Sequence, residues 1–397
     1  MVSAQTLPAA DGYLPSRARI AIALIFFVNG AVLSSWVPHI PTVQRKLDLS
    51  TGMLGLALLG IACGSLLSMP LAGLLAARHG SRVVTLTAAL LFCVATPPLL
   101  LAGSLPLLLV FLVLFGVFNG AMDVAMNAHG VAVERAIGRP VMSSLHAQFS
   151  IGGLVGAGSA VALLPLGVPP IVHVTTIAVL GFIIVIGSAR FLLPHSADSG
   201  AGSGKEGGAG GHRFVLPRGP LLILGAMGFF ILMTEGAMSD WTAVYLRSDL
   251  GTGAGFAGAG YAIFSAAMAV GRLTGDRMVA GLGAVAMVRW GAVLASVGLG
   301  GALLAHDPLI AIIGFGLVGL GLANIVPILF SAAGNTPGMA PGSAIAAVTT
   351  AGYCGFLAGP PLVGFVAEVI GLPGALGILA VAVGLMSSQA GLLKPRR

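Results

Sequence analysis

Charged residues are scarce in this sequence: Asp, Glu, Lys and Arg together make up only 8% of its 397 residues. Soluble domains carry roughly a quarter charged residues, so a soluble globular protein is excluded. Hydrophobic residues account for 57%, and many apolar runs reach the length of about 20 residues that a membrane-spanning helix needs. The composition therefore predicts an all-α membrane protein.

Cysteine is also rare, and several chemical motifs are absent. Cys63, Cys93 and Cys354 lie within apolar segments, without the paired spacing of a metal site or of a disulfide framework. The sequence has no Walker-type phosphate loop and no nucleophile constellation. We therefore expect no metal, no cofactor and no enzymatic activity, and ATP-driven transport is disfavoured.

Gly/Pro turns and charged residues divide the apolar sequence into twelve predicted transmembrane helices. Their approximate bounds are 18–38, 52–76, 82–103, 106–133, 141–164, 169–192, 219–245, 254–278, 284–304, 308–333, 342–369 and 373–393. A Gly/Ser-rich segment, typical of a flexible linker, separates the first six from the second six. We therefore predict an N-terminal six-helix bundle (1–193), a cytoplasmic linker (194–217) and a C-terminal six-helix bundle (218–397).

The distribution of Lys and Arg predicts the orientation in the membrane. With a cytoplasmic N-terminus, the outer loops contain only Arg45, Lys46 and Arg247 of the nineteen basic residues. Basic residues concentrate in cytoplasmic loops, so both termini are expected in the cytoplasm of a bacterial inner-membrane protein. The net charge of +7 is therefore read as a topology signal, and no nucleic-acid partner is expected.

The two halves resemble each other at corresponding positions. The segment from Asn29 to Trp36 resembles that from Glu235 to Trp241, with one gap. Gly-Ala-Met-Asp, ending at Asp123, is echoed by a similar tetrapeptide in the tenth predicted helix. Such internal repeats predict two pseudo-symmetric bundles, an arrangement used by secondary transporters.

The fourth predicted helix carries a stripe of polar residues. Asn119, Asp123 and Asn127 are four residues apart, a spacing that places them on one helix face. A carboxylate deep in a membrane costs several kcal/mol, roughly 2.5–3.5 on insertion scales. Asp123 is either a neutral, hydrogen-bonded packing residue or an acid that carries a proton or orients a solute, and we favour the second interpretation.

Two further residues are candidates for proton coupling. Glu235 lies inside the seventh predicted helix, toward its outer half, and is either a second proton acceptor or a packing acid. His146 opens the fifth helix near the level of Asn127, where it can titrate near neutral pH or donate a hydrogen bond to Asp123. A satisfied packing histidine is the alternative.

Neutral polar and aromatic residues complete the predicted solute cavity. Trp36 and Trp241 occupy corresponding outer helix ends, as an interfacial aromatic belt or as an outer gate that stacks on the solute. The other candidate cavity residues are Asn29, Asn119, Asn127, Gln148, Asn324, Thr349 and Tyr353.

The segment from Gly73 to Arg82 resembles the cytoplasmic loop motif of the major facilitator superfamily, with Ala77 where the family usually carries Asp. A second copy runs from Gly271 to Arg277 and retains an acid at Asp276. The resemblance implies a cytoplasmic gating latch. Its candidate residues are Gly73, Arg78, Gly80, Arg82, Gly271, Arg272, Asp276 and Arg277.

Within the superfamily, Asp-Val-Ala-Met-Asn (123–127) and the segment 138–153 resemble a bacterial inner-membrane permease subgroup related to the fucose–proton symporters. Asn29 stands in a slot where fucose-type symporters carry an acid. The resemblance implies the major facilitator fold and a monomer that moves a small solute by alternating access with protons. We expect symport of a polar or sugar-like solute. Proton-antiport export of drugs or hydrophobic natural products is the alternative, suggested by the Gly-Phe-Leu-Ala-Gly-Pro-Pro segment (355–361).

Overall fold

A computed structural model describes residues 15–138, 141–195, 220–334 and 341–393 of the chain. Most of the predicted linker (196–217) lies outside these residues. The helices of the first half are α1 (Pro15–Trp36), α2 (Ile40–Lys46), α3 (Thr51–His79), α4 (Ser81–Ala95), α5 (Pro98–Leu101), α6 (Leu105–Ile137), α7 (Met142–Leu163) and α8 (Pro170–Ala189). Those of the second half are α9 (Pro220–Val244), α10 (Ala254–Leu282), α11 (Ala284–Leu304), α12 (Pro308–Leu322), α13 (Ile325–Gly334) and α14 (Pro341–Gln389).

The described residues contain eleven helical stretches that are long and apolar enough to cross a membrane. The last of them has 44 residues, about 66 Å at 1.5 Å per residue, which is roughly twice the hydrocarbon thickness. Within it, Gly371 leaves the helical conformation at φ 77° and ψ 158°, so α14 consists of two consecutive helices. The described residues therefore contain twelve helices long and apolar enough to cross a membrane, which is the number predicted.

The two halves form bundles with corresponding helix contacts. In the first bundle (α1–α8), α1 packs along α7 and α3 packs along α6. In the second bundle (α9–α14), the equivalent contacts are those of α9 with α14 and of α10 with α12. This correspondence confirms the two-bundle pseudo-symmetry predicted from the sequence repeats.

Glycine allows the helices within a bundle to approach closely. On α6, Gly116 and Gly120 face α3, and a Cβ atom at position 120 would lie only 2.6 Å from the Cα atom of Ser65. Because no side chain separates the two backbones, α3 and α6 are held together by backbone packing. The close approach of the two helices therefore depends on these two glycines.

The two bundles meet mainly along α7 with α10 and along α3 with α14. A Cβ atom at Gly258 of α10 would lie 2.6 Å from the carbonyl oxygen of Ala157, and one at Gly364 of α14 would lie 2.8 Å from that of Thr51. These contacts lie toward the side where α3 begins and α7 ends, here called the closed face. The opposite side is called the open face.

We expect Gly116→Ala to destabilise the protein, whereas Gly73→Ala should not. The added methyl group at position 116 would meet the backbone of Ile61, but a Cβ atom at Gly73 has no neighbour within 4 Å. Overpacking of a close contact costs typically about 1–3 kcal/mol. Thermal unfolding in detergent should show a lower unfolding temperature for Gly116→Ala alone, and equal values for the two variants would contradict the proposed packing.

Candidate functional site

Asp123 lies on α6 as a half-buried residue. The side-chain amide of Asn127 donates to the backbone oxygen of Asp123 at 2.8 Å and to its Oδ1 atom at 3.1 Å. This contact follows from the four-residue spacing, which stacks the two side chains on one helix face. Within the described part of the chain, no basic side chain forms a salt bridge with Asp123.

Glu235 of α9 forms a salt bridge with Arg272 of α10. The Nη2 atom of Arg272 lies 3.2 Å from Oε1 of Glu235, and the two side chains are 22% and 24% exposed. The Nη1 atom of the same guanidinium donates to the hydroxyl of Ser150 in α7 at 3.3 Å. Arg272 thus links three helices and both bundles.

No sequence pattern indicated this contact. Arg272, a residue of the second loop-motif copy, lies within a helical stretch that is long and apolar enough to span a membrane, and its guanidinium points to the interior of the protein. Glu235, expected as a second proton acceptor or a packing acid, is paired with it. The helix α10 has 29 residues and ends at Leu282, so Arg272 lies well before its end.

Tyr353 of α14 lies within electrostatic range of Asp123 in the first bundle and of Glu235 in the second, and its side chain is 39% exposed. His146 of α7 is half-buried, lies within electrostatic range of Arg272, and packs edge-on against Phe26 at 5.3 Å between ring centroids. Titratable groups of the two bundles therefore lie within electrostatic range of one another.

Asn29 and Asn119 form a second polar contact, between α1 and α6. The amide nitrogen of Asn29 donates to Oδ1 of Asn119 at 3.1 Å and lies 3.3 Å from the sulfur of Met122. Asn29 is only 2% exposed, whereas Asn119 and Gln148 are half-buried. Asn29 therefore acts on the site by orienting Asn119, and its own amide is largely shielded.

Four other cavity candidates are buried, join helices or lie outside the description. Trp36 and Trp241 are 3% and 0% exposed, so neither forms an interfacial belt and neither contacts a water-filled space in this conformation. Asn324, between α12 and α13, donates to the backbone oxygen of Gly271 at 2.9 Å and therefore joins helices instead of lining the cavity. The side chain of Thr349 lies outside the described residues.

Apart from Gly271 and Arg272, the described loop-motif residues lie toward the open-face ends of their helices. Gly80 ends α3 at φ 89°, a conformation that favours glycine, while Arg78 is exposed and Arg82 half-buried. In the second copy, Gly271 packs against Ala323, where a Cβ atom would lie 2.6 Å from that of the alanine. Arg277 is exposed. The side chain of Asp276 lies outside the described residues.

Two buried histidine contacts were missed by sequence reasoning. His129 is fully buried, with its Nδ1 atom 2.8 Å from the hydroxyl of Ser81 and its Nε2 atom accepting from the backbone N–H of Leu193 at 3.1 Å. His39 lies 2.9 Å from His173 between ring nitrogens. The partners are separated by 48 to 134 residues, so no local signal in the sequence could have paired them.

Comparison with known proteins identifies the protein family. A family model described as Major Facilitator Superfamily matches residues 22–340. The chain belongs to the major facilitator superfamily, a family of membrane transporters, and its two pseudo-symmetric bundles form the fold of that family.

Particular relatives extend over nearly the whole chain. An uncharacterized MFS-type transporter of Yersinia pestis is 40% identical over 372 residues, covering 94% of each protein. Membrane protein MosC of Rhizobium meliloti is 35% identical over 387 residues, covering 95% of this chain and 90% of that protein. The fold is similar to that of the nucleoside transporter NupG (TM-score 0.72, 12% identity, 96% and 100% coverage) and of a D-xylose-proton symporter (TM-score 0.72, 15% identity, 94% and 97% coverage).

We expect the Arg272–Glu235 contact to be energetically coupled. Arg272→Met should leave the carboxylate of Glu235 without its cationic partner, whereas the double variant with Glu235→Gln removes that charge. Coupling energies between contacting residues are about 0.5–3 kcal/mol. Thermal or denaturant unfolding should therefore show that the double variant loses less stability than the sum of the losses in the two single variants. Additive effects would mean that the pair contributes nothing.

Proposed function

We propose that this transporter moves a small polar solute through alternating openings of its two faces, in symport with protons. The observation that carries the proposal is that Asp123, alone among the two acids of the site, has no basic partner in the described residues. Desolvation opposes a charged carboxylate in a membrane, so a proton neutralises Asp123 at little cost. Glu235 differs, because its protonation would leave Arg272 without its counter-charge.

This difference assigns separate roles to the two acids. Asp123 binds and releases the coupling proton, and Asn127 orients its carboxyl group through the contact at 3.1 Å. The Arg272–Glu235 pair supplies both hydrogen-bond donors and acceptors, so it suits a neutral solute with several hydroxyl groups. Tyr353 lies within electrostatic range of both acids, so a change in the protonation of Asp123 would alter how the Tyr353 hydroxyl binds the solute.

His146 is the remaining proton-coupling candidate, and its surroundings favour a secondary role. The positive charge of Arg272 lies within electrostatic range of the imidazole, and Phe26 covers one edge of the ring. A second positive charge at this place would be repelled by Arg272. We therefore propose that His146 contributes a neutral hydrogen-bonding group to the site, as do Asn119 and Gln148.

The proposal includes an orientation and an assembly. The closed face is placed outside the cell, with both termini in the cytoplasm of a bacterial inner membrane, because basic residues are concentrated on the opposite side. The protein would act as a monomer, with its solute and protons as its ligands and the lipid bilayer as its surroundings. The resemblance to the fucose–proton symporter subgroup belongs to the same proposal.

Export of a hydrophobic compound by proton antiport is the competing function. One of its supports was the Gly-Pro-Pro segment of the eleventh predicted helix. In the structure, Pro360 of that segment faces α3, where a Cβ atom at Gly55 would meet its carbonyl group. The segment therefore packs at the contact between the bundles. This removes one argument for export and favours symport. A dye-efflux assay distinguishes the two directions, since an exporter lowers dye accumulation until the proton gradient is collapsed.

We expect Asp123→Asn to abolish proton-coupled transport while the protein remains folded. Purified protein in liposomes with an internal pH-sensitive dye would be tested with a panel of sugars and polyols, with proton entry as the readout. The wild type should acidify the lumen with at least one solute, and Asp123→Asn should reduce the rate at least about tenfold, since proton transfer groups contribute factors of this size or more.

A matched control is Asp307→Asn, which makes the same chemical change at a half-buried acid that caps α12. It should transport at the wild-type rate, because Asn is also a good helix cap. Wild-type proton entry in Asp123→Asn would remove Asp123 from the coupling role. Solute exchange without proton entry in the wild type would contradict symport itself.

A further inference from the structure

A carboxylate of the second bundle binds the first turn of a helix of the first bundle at the closed face. Oε1 of Glu368, in α14, accepts a hydrogen bond from the backbone N–H of Gly52 at 2.9 Å and another from the hydroxyl of Ser50. The same hydroxyl accepts from the N–H of Met53 and so caps α3. The first N–H groups of a helix have no partner within it and attract negative charge, which Glu368 supplies.

Glycine makes this contact possible. A Cβ atom at Gly52 would lie 2.7 Å from Oε1 of Glu368, and one at Gly364 would lie 2.8 Å from the carbonyl oxygen of Thr51. One helical turn further along α3, Gly55 faces the backbone of Pro360. These close contacts between α3 and α14 exist only while the two bundles touch at the closed face.

Two other contacts at the closed face are apolar. Pro165 of the first bundle faces Gly255 of α10, and Pro38 faces Gly258. Such contacts are not directional, and they separate without leaving polar groups unsatisfied. The contact of Glu368 is different, because its hydrogen bonds to the first turn of α3 are lost as soon as the bundles move apart.

We propose that Glu368 and the first turn of α3 form a latch that holds the closed face shut, and that the latch sets the balance between the two openings of the transporter. The latch rests on the proposed alternating access but not on the proton role of Asp123. Opening of the closed face replaces the two hydrogen bonds of Glu368 with bonds to water, and closure restores them. Loss of the carboxylate should therefore favour the opened state.

Hydrogen–deuterium exchange of the intact protein in detergent or lipid nanodiscs, without solute, tests the latch. Glu368→Ala should accelerate amide exchange at the start of α3 (51–60) and also at the start of α10 (254–260), which Glu368 does not bond. The expected acceleration is about two- to fivefold, because Glu368 is exposed to solvent and exposed charged contacts change equilibria by factors of this size. Glu368→Gln, which keeps an acceptor oxygen, should lie between Glu368→Ala and the wild type.

The control is Asp307→Ala, which removes a carboxylate from a helix start within one bundle, where Oδ1 accepts from the N–H groups of Leu309 and Ile310. It should accelerate exchange only at the start of α12. For Glu368→Ala, acceleration confined to the first turn of α3, or none at all, would overturn the latch. If Glu368→Ala does not fold, Glu368→Gln and Gly52→Ala decide the matter. Because no solute or proton flux is measured, failure of the latch is distinguishable from failure of proton symport.

Discussion

The cost of placing charge in a membrane determines where the polar residues of this protein lie. Arg272 can remain inside a membrane-spanning segment because Glu235 neutralises it at 3.2 Å and Ser150 accepts a further hydrogen bond from it. Since Ser150 belongs to the other bundle, the same guanidinium that needs partners also joins the two halves. Asp123 has no such cation among the described residues, so it requires water or a proton. Partners for Arg272, and water or a proton for Asp123, are both provided where the two bundles meet.

The apolar part of the structure serves the same arrangement. Glycines let α3 lie directly on α6 within the first bundle, and other glycines let α3 lie on α14 across the two bundles. The first kind of contact is permanent, since it holds a bundle together. The second kind is confined toward the closed face, where Glu368 adds two directional hydrogen bonds. A transporter that alternates between two openings needs both kinds: rigid bundles and an interface that can part.

The fold was largely predictable from the sequence, because apolar length and Gly/Pro turns determine how often the chain crosses a membrane. The break at Gly371 and the Asp123–Asn127 contact follow from local spacing. The Arg272–Glu235 pair was not predictable, since spacing along one helix does not show which helix lies opposite. The burial of Trp36 and Trp241 was not predictable for a related reason: indole favours the membrane interface in general, but neighbouring helices cover both side chains here.

The proposed function requires that water between the bundles reaches Asp123 from the open face. In a variant without the three native cysteines, Asp123→Cys should react with a charged, membrane-impermeant thiol reagent applied to the open face. Leu114→Cys, half a turn round the same helix and nine residues away, should not react, because its 43% exposed side chain faces away from the site. Reaction at position 123 and not at 114 is the predicted result. If neither position reacts, no water reaches this acid, and the proposed role of Asp123 in proton coupling is wrong.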